Sequence, residues 1–288
     1  MKKIGFMKRK APAEIALHLL VSMIFMVVAL SYIYILVWTF ISGCKTHSEI
    51  VLNPFLLPET WHFEHYLEVF RLLEVNGNNF LNMLFNSLWF SVVGVFIQQY
   101  TSISLAYGCT KYSFPGSRLI YMIVLIVITL PIYGNSGAMY RLLHGMNLID
   151  SYAQIITSAG GFTMAFLYYS AFFKNMSWTY AEAAMVDGAN DFKIYFKIML
   201  PQAKPIFGAM FLTQWIQVWN GYESALVYLP KLPTLPVGIY QFNTEMIYRA
   251  RLDILFAACL LVCIPALILF IVFNKTITTN VSLGGIKG

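Results

Sequence analysis

Long uncharged runs alternate with short polar stretches along this chain. Residues 15–44 contain no Asp, Glu, Lys or Arg. The part at 15–41 exceeds the about 20 helical residues that cross a hydrocarbon core roughly 30 Å thick. A second run, 75–110, has its spanning core at 85–107. Gln98, Gln99, Thr101, Ser102 and Ser104 fall inside it, and that polar density predicts a helix facing protein or water rather than lipid. Further spans are predicted at 119–140, 151–173, 206–228 and 254–274. Pro131 and Gly134 interrupt the third, which neighbouring helices can accommodate. Gly160 and Gly161 in the fourth allow close helix approach. Residues 45–79, with Pro54, Pro58, Trp61, Phe63 and Tyr66, predict a structured loop hugging the membrane interface. Residues 229–252, with Pro230, Pro233 and Pro236, read as a second loop. The expected fold is all-α and integral to the membrane: one domain, 1–288, with six transmembrane helices.

Composition agrees. The chain is 59% hydrophobic and 11% charged, against about 45–50% apolar and about 25% charged in soluble domains. A pI near 9.0 raises nucleic acid. The basic residues are scattered among apolar runs, however, and no nucleic-acid partner is expected. The exception is Lys2, Lys3, Lys8, Arg9 and Lys10, which fit a cytoplasmic anchor beside the first span. A signal peptide also begins this way, but its apolar region is about 7–15 residues and ends at a small-residue cleavage site. The first run is longer and lacks that site, so it reads as a retained helix. Thirteen of the 19 lysines and arginines fall at the N-terminus, at 111–118, at 174–204 and in the tail. The positive-inside rule then places both termini in the cytoplasm. Cys44, Cys109, Cys259 and Cys263 show no metal spacing, and His62-Phe-Glu-His65 is not a zinc-protease motif, so no metal site is expected.

One polar stretch stands apart from this pattern. An ordinary connection between packed helices runs about 2–8 residues, yet 174–205 is far longer and carries Glu182, Asp187, Asp191, Lys193, Lys197 and Lys204. Thr179 and Glu182 have the spacing of a capping box. Asp187-Gly188 supplies a helix stop, with the glycine free to turn left-handed. Asp191 can cap a second helix whose Phe192, Tyr195, Phe196 and Met199 make one apolar face. Leu200-Pro201 should end that helix. The expected product is a compact pair of helices on the cytoplasmic face, alanine-rich enough for another surface to approach.

Glu182-Ala183-Ala184, Asp187-Gly188-Ala189, Phe196, Ile198, Leu200-Pro201 and Pro205 resemble the EAA loop of ABC importer permeases. The whole chain resembles the MalG-like carbohydrate permeases, down to a GG-x-KG tail at 284–288. The resemblance implies that the loop is a coupling helix pair docking on an ATP-hydrolysing subunit. Glu182 would meet that partner, Gly188 would allow the turn, and residues 192–199 would brace it. It also implies a bacterial plasma-membrane assembly with a second permease subunit, two ATPase subunits and an extracytoplasmic solute-binding protein. The chain has no G-x-x-x-x-G-K-[ST], so no catalytic residues are expected in it, and ATP and Mg²⁺ would be bound by the partners.

Candidate pathway residues lie in the fifth span: Gln214, Gln217, Trp219, Asn220, Tyr222 and Glu223. Amides and a carboxylate beside aromatic rings suit a sugar, with hydroxyls at its edges and C–H groups on its faces. Helix–helix hydrogen bonding is the plainer role for any one of them. Two other readings stay open. The same loop serves importers of polyamines, phosphate or other small solutes. A membrane enzyme would call for clustered Asp, Glu or His within the spans, where only Glu223 answers, and an ion-coupled carrier for inverted repeats and intramembrane carboxylates, neither of which is seen.

Overall fold

The computed structural model describes residues 12–130, 136–249 and 251–281. The basic cluster at 2–10, Pro131, Gly134 and the glycine tail lie outside them. Helix α1 (Pro12–Gly43) is followed by α2 (His47–Leu52), α3 (Glu64–Leu72) and a hairpin of β1 (Glu74–Val75) and β2 (Asn78–Asn79). Next come α4 (Phe80–Leu88) and α5 (Gly94–Lys111), fused through a π-helical turn at Trp89–Val93. Then α6 (Ser117–Thr129), α7 (Ser136–Gly145), a 3₁₀ helix (Tyr152–Ala159), α8 (Met164–Asn175) and α9 (Thr179–Val186). A second π turn, Tyr195–Met199, separates α10 (Asp191–Ile194) from α11 (Leu200–Gln202). The chain closes with α12 (Lys204–Asn220), α13 (Glu223–Tyr228), α14 (Leu235–Tyr248) and α15 (Leu252–Val281).

Three helices among the described residues are long and apolar enough to cross a membrane: Ala16–Gly43, Phe80–Lys111 and Leu252–Val272. The 3₁₀ helix and α8 make a fourth if that pair, bent by 49°, is one span. The run expected at 151–173 is therefore not one straight helix. It breaks at Gly160-Gly161, and Gly161 is where the need is real, since a Cβ there would sit 3.1 Å from Leu105 and 3.4 Å from the Thr101 carbonyl. The run expected at 206–228 is likewise divided, because α12 stops at Asn220 and α13 starts afresh at Glu223. The expected loop at 229–252 holds the 14-residue α14. Pro236 lies in its first turn, where the missing N–H would have had no helical partner anyway.

The described residues divide into two compact units, one comprising those up to Glu68 together with Met246–Leu261, the other those from Val69 to Glu245 together with those from Val262 onward. In the first, α1 is apolar all round and exposed from Ala16 to Val37, as a helix surrounded by lipid should be. The 45–79 region is more ordered than a loop. Thr46 and Glu49 form a capping box on α2, and the backbone N–H groups of Thr46 and Glu59 hold the Glu49 carboxyl below its ordinary pKa. The start of α15 carries a polar clasp. Arg251 donates to Glu68 at 2.8 Å and to Asp253 at 2.9 Å, and His65 lies 3.4 Å from Asp253 and 3.0 Å from the Gly43 carbonyl.

The second unit is built around α5 and α8. Gln99, which is buried, accepts from the Tyr169 hydroxyl at 2.7 Å and donates to the Met210 carbonyl at 3.5 Å, joining α5, α8 and α12. Ser102 and Thr163 pair at 2.9 Å. Gln99, Ser102 and Ser104 of the second run do face protein.

Candidate functional site

The hairpin at 174–205 closes as its sequence suggests but caps one or two residues away from the expected positions. Thr179 is the first residue of α9, not its cap, and makes no capping box with Glu182. Ser177 Oγ accepts from the Thr179 N–H at 3.2 Å instead. Asp187 is the C-cap, and Gly188 takes φ +76°. The Gly188 N–H donates to the Met185 carbonyl at 3.0 Å and the Ala189 N–H to the Ala184 carbonyl at 2.9 Å. That pair of bonds is a Schellman closure, which an L side chain at the left-handed position would strain. The second helix is capped by Asn190, whose Oδ1 accepts from the Lys193 N–H at 2.9 Å, and not by Asp191. Asp191 accepts from the Tyr112 hydroxyl at 3.0 Å.

Beyond Ile194 the expected apolar face does not form. Phe192 is 75% and Phe196 48% exposed, whereas Ile194 and Met199 are fully buried. These buried residues are five apart. The π turn supplies the reason: its wider turn brings i and i+5 to the same side, where an α-helix would use i+3 and i+4. Nor does Leu200-Pro201 end the helix. Leu200 keeps helical dihedrals (φ −64°, ψ −42°) and α11 continues through Pro201 to Gln202. The π turn ends two residues before the proline, where the regular i→i−4 ladder is already interrupted.

Ala181, Ile194, Met199 and Ala203 belong to one buried cluster with Ile103, Tyr107, Phe166, Tyr169 and Phe173 of α5 and α8. Tyr195 and Ser104 hydroxyls meet at 2.7 Å, and the Tyr195 and Tyr107 rings lie 4.9 Å apart. Burial pushes the Tyr195 hydroxyl pKa up, with the Ser104 bond opposing it. Lys111 donates to the Met176 carbonyl. The outward side is different. Glu182, Ala183, Asp187 and Gly188 are exposed, Ala184, Ala189, Leu200 and Pro201 half-buried, and Val186 is 90% exposed. The packed base thus carries exposed acidic and apolar side chains that have no partner among the described residues, as an interaction site would.

Helix α12 has two faces. Gly208, Leu212, Trp215 and Trp219 are buried, with the two indoles 5.0 Å apart and Trp215 donating to Ser91 in the first π turn at 3.0 Å. Thr213, Gln217 and Asn220 share an exposed stripe, with Gln214 half-buried beside it. Trp219 therefore packs in the core, away from that amide stripe. Beyond the break, Tyr222 stacks on Tyr240 at 4.7 Å and Glu223 is exposed.

The family described as binding-protein-dependent transport system inner membrane component matches residues 100–282. The arabinooligosaccharides transport system permease protein AraQ of Bacillus subtilis is 27% identical over 287 residues, covering 98% of this chain and 100% of that protein. The diacetylchitobiose uptake system permease protein NgcG of Streptomyces coelicolor is 30% identical over 255 residues, covering 86% and 82%. A chain in the crystal structure of a bacterial ABC transporter involved in the import of the acidic polysaccharide alginate shares the fold, with a TM-score of 0.75 at 22% identity over 92% of this chain and 98% of that one.

Proposed function

The chain belongs to the family of binding-protein-dependent transport system inner membrane components, and on that footing we propose that it forms half of the translocation pathway of an ATP-driven sugar importer. The observation that carries the proposal is the hairpin at 174–205, capped and closed on itself, sunk at its base into the α5–α8 core and bare on its outer side. Such an element can receive a push from an ATPase and pass it to the spans. Glu182, Asp187 and the exposed apolar side chains form the contact surface in this reading, and Ile194, Met199 and Tyr195 are the link inward. Six spans, a single domain over 1–288 and cytoplasmic termini complete it, supported by the hydropathy runs and the distribution of Lys and Arg. A second permease subunit, two ATPases that bind ATP and Mg²⁺, and an extracytoplasmic binding protein are the partners.

Sugar is favoured as cargo by the substrates named for AraQ and NgcG and by the amide stripe of α12, whose neutral hydrogen-bonding groups match sugar hydroxyls. The test is uptake and ATPase activity in the reconstituted complex. Glu182→Lys should abolish ATPase assembly or uncouple it from transport, and an intact, coupled complex would remove the coupling role. A panel of sugars that left the ATPase unstimulated by the binding protein would favour a polyamine or phosphate instead.

A further inference from the structure

Three interruptions of regular helix surround one cavity of about 230 Å³ in the second unit. Phe90, on the π turn at Trp89–Val93, forms one wall. Gln154 and Ser158 of the 3₁₀ helix form another, and Gly221 and Ser224, at the break between α12 and α13, a third. Thr234 lines it too, beside apolar side chains such as Leu143, Ile155 and Val218. None of the pathway candidates named from the sequence lines it.

One of its polar groups is left waiting. Thr234 is 7% exposed, and its hydroxyl oxygen is buried with no hydrogen-bond partner among the described residues. Gln154 is 9% exposed and its side chain also lines the cavity. A buried hydroxyl without a partner costs free energy, and natural structures keep few of them. Among the described residues the lining carries no charge. A polyamine or a phosphate would lose its hydration there without meeting a counter-charge. A neutral polyol would instead meet an amide, several hydroxyls and the face of Phe90. The volume is below the roughly 300–1,000 Å³ of a drug-sized site, which suits a single sugar ring rather than a chain.

We propose that this cavity is a subsite for one neutral sugar ring, with Gln154 and Thr234 hydrogen-bonded to its hydroxyls and Phe90 against its face. The proposal rests on the sugar-importer reading. The experiment uses the assembled transporter in nanodiscs, without binding protein. Saturation-transfer NMR titrations are run with a panel of neutral di- and trisaccharides that includes arabinotriose and diacetylchitobiose. Thr234→Val and Gln154→Leu should each weaken the sugar Kd about three- to tenfold, the worth of one hydrogen bond, and Thr234→Ser should restore it. Thr234→Val should leave the melting temperature unchanged or higher, because it removes an unsatisfied hydroxyl, whereas a merely structural threonine would lower it. Unchanged Kd values in both variants would overturn the subsite. So would a wild type that binds no sugar while binding-protein-driven sugar uptake proceeds, which leaves the importer reading standing. Absence of uptake for every sugar would defeat both.

Discussion

The hairpin at 174–205 and the break at 220–234 lie in the same unit, and they resolve the same problem in opposite ways. Both interrupt the helical ladder. In the hairpin the ends are tied: Ser177 and Asn190 each take one N–H group, the Schellman bonds take the Met185 and Ala184 carbonyls, and the base fills with Ile194 and Met199. At the break, α12 stops, α13 restarts, and Thr234 stays buried without a partner among the described residues. An element proposed to carry force should be stiff, and stiffness comes from satisfied groups and full packing. A place that receives a ligand keeps some groups unsatisfied until the ligand arrives.

Five substitutions would break or sharpen this contrast. The largest effect is expected for Met199→Ala, which empties a fully buried position in the base. A loss of about 2–5 kcal/mol should appear as a lower melting temperature of the purified complex together with uncoupled ATPase activity. Gly188→Ala adds no clash, since nothing lies within 4 Å of a Cβ there. Its whole cost is the left-handed backbone, about 1–2 kcal/mol, read by thermal unfolding. Asn190→Ala should cost typically about 1 kcal/mol as a lost N-cap, while Thr179→Val should cost less, because Thr179 caps nothing. Equal losses in the two would contradict the cap assignment. Thr234→Val is the smallest and opposite in sign, neutral or stabilising to the empty protein, and a clear loss of stability there would erase the distinction between the two regions.

Much of the hairpin is legible in the sequence, because its signals are local. Asp187-Gly188 reads as a stop and is one. The caps shift by one or two residues because Asn190 and Asp191 are both competent, as are Ser177 and Thr179, and only three-dimensional placement chooses. The inward face of the second helix is not legible, because the expected face assumes 3.6 residues per turn and the π turn departs from it. Hydropathy finds the long apolar helices but adds residues across a break as readily as along a helix. Runs 151–173 and 206–228 therefore look continuous, although Gly160-Gly161 and Gly221 mark where each divides. Three prolines hide α14, though Pro236 occupies a position that helices accept. The cavity could not be read at all, since Phe90, Gln154, Gly221 and Thr234 are distant in sequence and meet only through folding.

The π turn at Tyr195–Met199 also fixes a length. A π turn holds one residue more than the α turn it replaces, as if one residue were inserted in a regular helix. Deleting one residue there would restore a regular helix and leave the composition almost untouched. Everything from Leu200 onward would then rotate by about 100° relative to Ile194, and the side that now sinks into α5 and α8 would swing away. The seating of the hairpin is recorded in the chain as a count of residues rather than as a choice of them.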